Sequence, residues 1–287
     1  MRKVKEFIIE KIIFICGLAS IIFVLLIFLF LAREGLAVFK TVAFKNFILG
    51  RNWYPISEPA QLGILPLILG SLLVTLGAAF ISIPIGVACA VYIAEVAPSK
   101  IKEFLKAGIE LLAAIPSVVL GFIGMVTLVP WIKHLFGLPT GLTALSGSVM
   151  LAFMAMPTIV SVAEDALYSV PKSYKEGAFA LGATHWQTIY RVIVPAASSG
   201  ILAAVMLGLG RVIGETMAVM MITGNAAVIP QSILEPVRTL TATIAAEMGE
   251  TVVGSEHYFA LFAIGIVLFI ISFIINVSAD LFLHKQR

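Results

Sequence analysis

Charge is scarce in this sequence. Of its 287 residues only 12% are Asp, Glu, Lys or Arg, and 60% are apolar. A typical soluble chain is about 25% charged. Length alone predicts about two soluble domains, but a chain this poor in charge cannot cover a water-facing surface. With a mean hydropathy of +1.08, soluble-enzyme, fibrous and disordered classes are excluded, and a polytopic membrane protein remains. The net charge of +3 is too small and too dispersed for a nucleic-acid footprint. Cysteine is nearly absent: Cys16 and Cys89 both lie in apolar runs and read as buried thiols, not as a disulfide. The four histidines, His134, His185, His257 and His284, fall outside the apolar runs and have no metal-ligand spacing. An intramembrane serine protease needs a base at the depth of its serine; Ser146 is available, but no span holds a histidine. No H-E-x-x-H motif occurs. Nor does a G-x-x-x-x-G-K-[ST] phosphate loop, so the chain is expected to have no cofactor and no ATP site of its own.

Long apolar runs, by contrast, abound. A spanning helix needs about 20 mostly apolar residues, and six such stretches are expected. The first, Ile12 to Ala32, is too long for a signal-peptide core, and Arg33-Glu34 stands where a cleavage site would be. The second run, Leu62 to Val96, is too long for one crossing and is interrupted by Pro66 and Pro84, which predicts a short lead-in and then a helix from about Leu69 to Ala94. The others are about Ile109–Ile132, Leu142–Val162, Ala196–Thr223 and Tyr258–Phe282. Residues 1–60 form an N-terminal helix with its loop, and residues 61–287 the core. Twelve basic residues flank the spans on the N-terminal side: Arg2, Lys3, Lys5, Lys11, Lys100, Lys102, Lys106, Lys172, Lys175, Arg191, Lys285 and Arg287. Six flank them on the other side: Arg33, Lys40, Lys45, Arg51, Lys133 and Arg238. This bias puts both termini in the cytoplasm. The first outer loop carries Phe39, Phe44, Phe47, Trp53 and Tyr54, which read as interfacial anchors.

The cytoplasmic loop 163–195 carries helix signals of its own. Ser173 with Glu176 fits a capping box, Gly182 a helix stop, and Thr184 with Gln187 a second capping box, before Pro195. The first short helix is small on one side (Gly177, Ala178, Ala180), and the second is aromatic (Trp186, Tyr190). Amphipathic elements without a partner suit docking into a groove. In the fifth span, Arg211 and Glu215 are charges at membrane depth, each costing roughly 2.5–3.5 kcal/mol on insertion scales. Their i,i+4 spacing predicts a pair on one helix face, either a closed structural pair or an anion contact. An arginine fork matches phosphate or sulfate oxygens; Glu215 would hold Arg211 when the site is empty, and Thr216 is adjacent. Ser71, Thr75 and Ser117 either line a path or bond to nearby backbone.

Glu176-Gly177-Ala178, three residues, Gly182, nine residues, Val192-Ile193-Val194-Pro195 resembles the coupling loop of ABC importer permeases. Residues 208–219, Gly-Leu-Gly-Arg-Val-Ile-Gly-Glu-Thr-Met-Ala-Val, resemble the fifth-span signature of phosphate importer permeases of the PstC type. Further matching stretches run from about residue 60 to the C-terminus. The resemblance implies an all-α, six-span fold of the type I importer (MetI-like) kind. It implies a homologous PstA-like permease as heterodimer partner, a PstB-like ATPase dimer holding ATP and Mg, and an extracytoplasmic PstS-like phosphate-binding protein. Glu176, Gly177, Ala178, Gly182 and Pro195 would couple to the ATPase, and Arg211, Glu215 and Thr216 would line the substrate path in the cytoplasmic membrane. The last outer loop, Asn225 to His257, would seat the binding protein, gate the mouth or simply be solvated. Sulfate, molybdate or another oxyanion is the alternative cargo, and an ion-driven secondary transporter or channel the alternative class.

Overall fold

The computed structural model describes residues 2–285, without the side chains of residues 2–6, 8 and 279–285. Arg287, counted above among the basic flanks, lies outside the described residues, as do the side chains of Arg2, Lys3, Lys5, His284 and Lys285. Helix α1 (Arg2–Gly35) leaves side chains such as Ile13, Phe14 and Ile21 exposed, as a lipid-facing helix does. It packs on the last helix, α14 (Glu256–Lys285), where Phe28 meets Phe269 and Phe30 meets Phe262 edge-on. A short helix α2 (Phe44–Leu49) and a hairpin of β1 (Trp53–Tyr54) and β2 (Gln61–Leu62) follow. The aromatic residues here divide. Phe44 and Tyr54 are exposed, but Phe47 and Trp53 are buried in a cluster with Ile64, Leu67, Leu240 and Leu261. Those two are core residues, not interfacial anchors, because the loop is covered by α14 and the last long loop.

Helix α3 (Leu65–Val91) runs without a lead-in and passes into a π-turn, Tyr92–Val96. Pro66 opens the helix in its first turn, where the missing N–H has no intrahelical partner anyway. Pro84 is accommodated inside it. The next span differs from expectation. Helix α4 (Ser99–Ala114) buries no residue, Ile115 turns extended as residues before proline do, and α5 (Ser117–Ile123) begins after Pro116. A π-turn, Gly124–Leu128, joins α5 to α6 (Val129–Phe136), so the span is Ser117–Phe136 and residues 109–114 belong to a separate amphipathic helix.

Helix α7 (Ala144–Tyr168) is the hub. It packs on α3 and on α11, and most of its span is buried. Ile159 sits between Gly86 and Gly208; a Cβ on either glycine would stand within 2.9 Å of its side chain, so the three helices close only because both positions lack one. Helices α8 (Lys172–Ala180), α9 (His185–Thr188) and α10 (Val194–Ala196) form the next loop, with a π-turn, Ile189–Ile193, between the last two. The chain bends by 69° between His185–Ala196 and α11 (Ser198–Ile213). At 16 residues, α11 reaches only about 24 Å of a roughly 30 Å hydrocarbon core. Helix α12 (Met217–Ile222) supplies the rest after a break. A buried helix α13 (Leu240–Glu247) precedes α14. Five helices are individually long and apolar enough to span a membrane, and the bent pair makes six. Cys16 and Cys89 are free and both exposed on outer helix surfaces, not buried as expected.

Candidate substrate path and docking loop

The fifth span breaks where its glycines and charges concentrate. Helix α11 stops at Ile213, Gly214 follows, and α12 starts at Met217, so Arg211 and Glu215 do not lie on one continuous helix. No ion pair joins them among the described residues. Glu215 instead turns towards α12, where its Oε1 accepts the Ala218 N–H at 3.2 Å. A carboxylate there satisfies a first-turn N–H and complements the helix dipole. The expected Arg211–Glu215 pair is therefore absent from this structure, because the helix ends between the two residues. Arg211 is exposed, and its guanidinium has no hydrogen bond or ion pair among the described residues. The Thr216 hydroxyl donates to the Gly214 carbonyl at 3.2 Å, closing the turn.

The break is held from the side by residues 239–243, which overlap one of the stretches that match the family but to which no role follows from sequence alone. Thr239 caps α13 by accepting the Ala242 N–H, and Thr241 donates to the Glu215 carbonyl at 2.9 Å. Ser71 on α3 accepts the Leu240 N–H at 2.9 Å, which satisfies another first-turn donor of α13. Ser71 thus bonds to backbone, as one of its two sequence readings held. Thr75, Glu215, Thr239 and Thr241 line a cavity of about 10 Å³ with it, room for no more than one water. Ser117 opens α5 directly after Pro116, and Ser146 Oγ is spent on the Gly141 carbonyl at the start of α7.

Beyond α13 lies a wider cavity of about 970 Å³, lined by the β-hairpin tip, Asn225, Arg238, Glu250 and His257. Its wall is tied by Glu247. This carboxylate accepts Trp53 Nε1 at 3.1 Å, pairs with Arg238 Nη1, and lies 2.8 Å from His257 Nε2. Arg238 Nε also donates to the Asn225 carbonyl at 3.0 Å. Of the acidic residues Glu235, Glu247, Glu250 and Glu256 in this loop, Glu247 is the structural centre, and the loop is a folded cap and not a solvated linker.

At the opposite end, α7 runs on to Tyr168, so the loop expected from residue 163 begins only after it; beyond that the loop follows most of its local signals. Thr184 and Gln187 form a complete capping box. Gly182 has φ +80°, its N–H donates to the Phe179 carbonyl and that of Ala183 to Ala178; this double closure needs a residue free to adopt the left-handed region. Ser173 does not cap α8. Pro171 holds the N-cap position and Ser173 lies inside the first turn. Pro195 opens the one-turn α10 just before the 69° bend. Ala178 is buried, Glu176 and Gly177 are exposed, and no atom stands within 4 Å of a Cβ built on Gly177. Leu181, Trp186 and Tyr190 project outward as an apolar surface, at 91, 63 and 54% exposure. Ile189 and Ile193 are buried and fix this loop to the ends of α3 and α7. Lys175 reaches Glu95, a pairing over 80 residues of sequence that no local pattern signals.

A family model described as the binding-protein-dependent transport system inner membrane component matches residues 82–287. The probable ABC transporter permease protein YqgH of Bacillus subtilis is 43% identical over 261 residues, 90% of this chain and 84% of its own. The phosphate transport system permease protein PstC of Haemophilus influenzae is 35% identical over 291 residues, 93% of this chain and 91% of its own. An inward-facing structure of the MetNI methionine ABC transporter superposes with a TM-score of 0.64 at 20% identity, covering 81% of this chain and all of that one, a likeness of fold alone. With a membrane-spanning helical core, a bent span and a capped loop in the expected places, this chain belongs to the family of binding-protein-dependent transport system inner membrane components and is an ABC importer permease.

Proposed function

We propose that this chain is the permease subunit of an importer that carries inorganic phosphate across the cytoplasmic membrane on ATP hydrolysis by a separate subunit. Both termini and the 163–195 loop face the cytoplasm. The exposed Leu181, Trp186 and Tyr190, with Glu176 and Gly177 beside them, dock on a PstB-like ATPase dimer, which holds ATP and Mg. A PstA-like permease completes the path. A PstS-like phosphate-binding protein delivers cargo at the end that bears the 970 Å³ cavity.

The observation that carries this reading is Arg211. It is an exposed guanidinium at the end of α11, inside the span and without a partner in its own chain among the described residues. Facing lipid it would cost roughly 2.5–3.5 kcal/mol on insertion scales. Facing a watery path shared with a second permease, it is hydrated and free to fork onto two phosphate oxygens. The broken span supports the same reading, since transporters line their substrate sites with interrupted helices. Glu215 keeps the break open as an N-terminal anchor of α12, and its charge discourages an anion from resting too long. Thr216 lies on the same turn. The Haemophilus relative, named for phosphate transport, supports phosphate over other oxyanions.

The test is labelled-phosphate uptake into cells lacking this chain, with and without its restoration, competed by excess sulfate and molybdate. Restored uptake that ATP depletion stops, and that phosphate alone competes, is expected. Equal competition by sulfate would reassign the cargo, and uptake indifferent to ATP would remove the importer mechanism.

A further inference from the structure

Helix α8 carries Glu176, Gly177 and Ala178, yet it is held weakly by apolar contact. Ala178 is its one buried residue, and it packs on α9 and the 189–193 turn. A direct side-chain bond from α8 to a membrane-spanning helix is made by Lys175. Lys175 Nζ lies 2.7 Å and 2.8 Å from the two carboxylate oxygens of Glu95. The Glu95 side chain is 4% exposed and that of Lys175 31%, so the pair is largely withdrawn from water.

Glu95 sits in the π-turn that ends α3, where the Ala97 N–H donates to the Tyr92 carbonyl at 2.8 Å. Such a turn holds one residue more than an α-turn and swings the following side chains by about 100°, a device common at functional positions. The other end of the same helix bears Ser71 and Thr75, which line the small cavity with Glu215. One continuous helix, about 36 Å from Ser71 to Glu95 at 1.5 Å per residue, thus connects the docking helix to the break in the fifth span. Apolar contacts slide under load, whereas a buried carboxylate cannot be left without its cation except at high cost.

We propose that the Lys175–Glu95 pair is the strut that passes movement of α8 to α3, and through α3 to the polar cavity at Ser71, Thr75 and Glu215. The pair is a positioning device for transport and touches no substrate. The proposal rests on the reading that α8 docks on an ATPase. A static brace would differ from a strut in one measurable respect. Removing a brace loosens assembly; removing a strut leaves the complex whole and wastes ATP.

The experiment uses the complete transporter with its partner permease, ATPase and binding protein in proteoliposomes, with phosphate uptake and ATP hydrolysis read together. The variants are Lys175→Gln, Glu95→Gln, the two combined, and the exchanged pair Lys175→Glu/Glu95→Lys. Each single variant is expected to retain the ATPase at the parental level and to move at least about tenfold less phosphate per ATP; the combined neutral variant should be no worse than either single one, as for two residues acting as a unit. The exchanged pair is expected to recover part of the ratio. An unchanged ratio in the single variants, or losses that multiply in the combined one, would overturn the proposal. So would loss of the ATPase from the single variants, which would make the pair a brace. A parental sample that binds no ATPase, or transports without ATP, would remove the docking reading itself, and that result is visible without any variant.

Discussion

The 163–195 and 225–257 loops are of the same length, and they are built in opposite ways. The first is shaped mainly by local signals, a capping box at Thr184–Gln187, a double closure on Gly182 and a proline at the bend, with Ile189, Ile193 and the Lys175–Glu95 pair anchoring it to the spans. Its aromatic residues point outward and wait for another surface. The second is made of distant contacts. Glu247 gathers Trp53 from 194 residues away together with Arg238 and His257. Thr241 and Leu240 tie the loop to Glu215 and Ser71. A loop left exposed on the bundle takes much of its order from its own backbone. A loop that caps a membrane bundle draws its order from the elements it covers.

Substitutions can break this contrast, and the largest effects are expected in the distant-contact cap. Phe47→Ala should destabilise the protein by about 4 kcal/mol, the range for emptying a buried phenylalanine site, whereas Phe44→Ala, on an exposed ring of the same short helix, should leave thermal unfolding in detergent within experimental scatter. Equal effects would mean that the cap is not packed as described. Glu247→Ala should cost about 3 kcal/mol, since it strands the Arg238 guanidinium half-buried; an unchanged melting temperature would contradict the network. In the locally ordered loop the stability effects are smaller, and function should respond more. Gly182→Asp forces a side chain into the left-handed region at about 1–2 kcal/mol; phosphate uptake should fall sharply because the docking turn is displaced. Normal uptake with retained co-purification of the ATPase would sink that assignment. Thr184→Ala removes the capping box at about 1 kcal/mol and should be detectable as a small loss of helical stability; a loss as large as that of Phe47→Ala would show that the packing of Ile189 and Ile193 depends on this cap.

The same contrast explains what could be read from residues alone. Six spans, the short helices of the 163–195 loop and the position of Arg211 follow from apolar runs, caps and a charge at membrane depth, which are local properties. Gly182 was legible because a helix stop is a local event. The break before the third span is not visible in the apolar run Ile109–Ile132, because residues 109–114 are apolar enough to extend it although they belong to the amphipathic helix that ends before Pro116. Pro66 and Pro84, which read as interruptions of the second run, both fit within one helix. The Arg211–Glu215 pair assumed a continuous helix, and Gly214 with the capping of α12 ended it. Phe47 and Trp53 looked like interfacial aromatics because nothing local says that α14 will cover them. The Lys175–Glu95 and Trp53–Glu247 links span 80 and 194 residues and leave no mark on local pattern.

The central claim is that Arg211 faces a shared anion path. Labelled-phosphate uptake by cells carrying Arg211→Gln in place of the parental chain tests it most directly, with assembly checked by co-purification of the ATPase and the second permease. Uptake reduced at least about 100-fold, the scale of losing a charge-assisted contact of about 3 kcal/mol, from a complex that still assembles is the predicted result. Uptake at the parental rate would contradict the account and return Arg211 to a structural role.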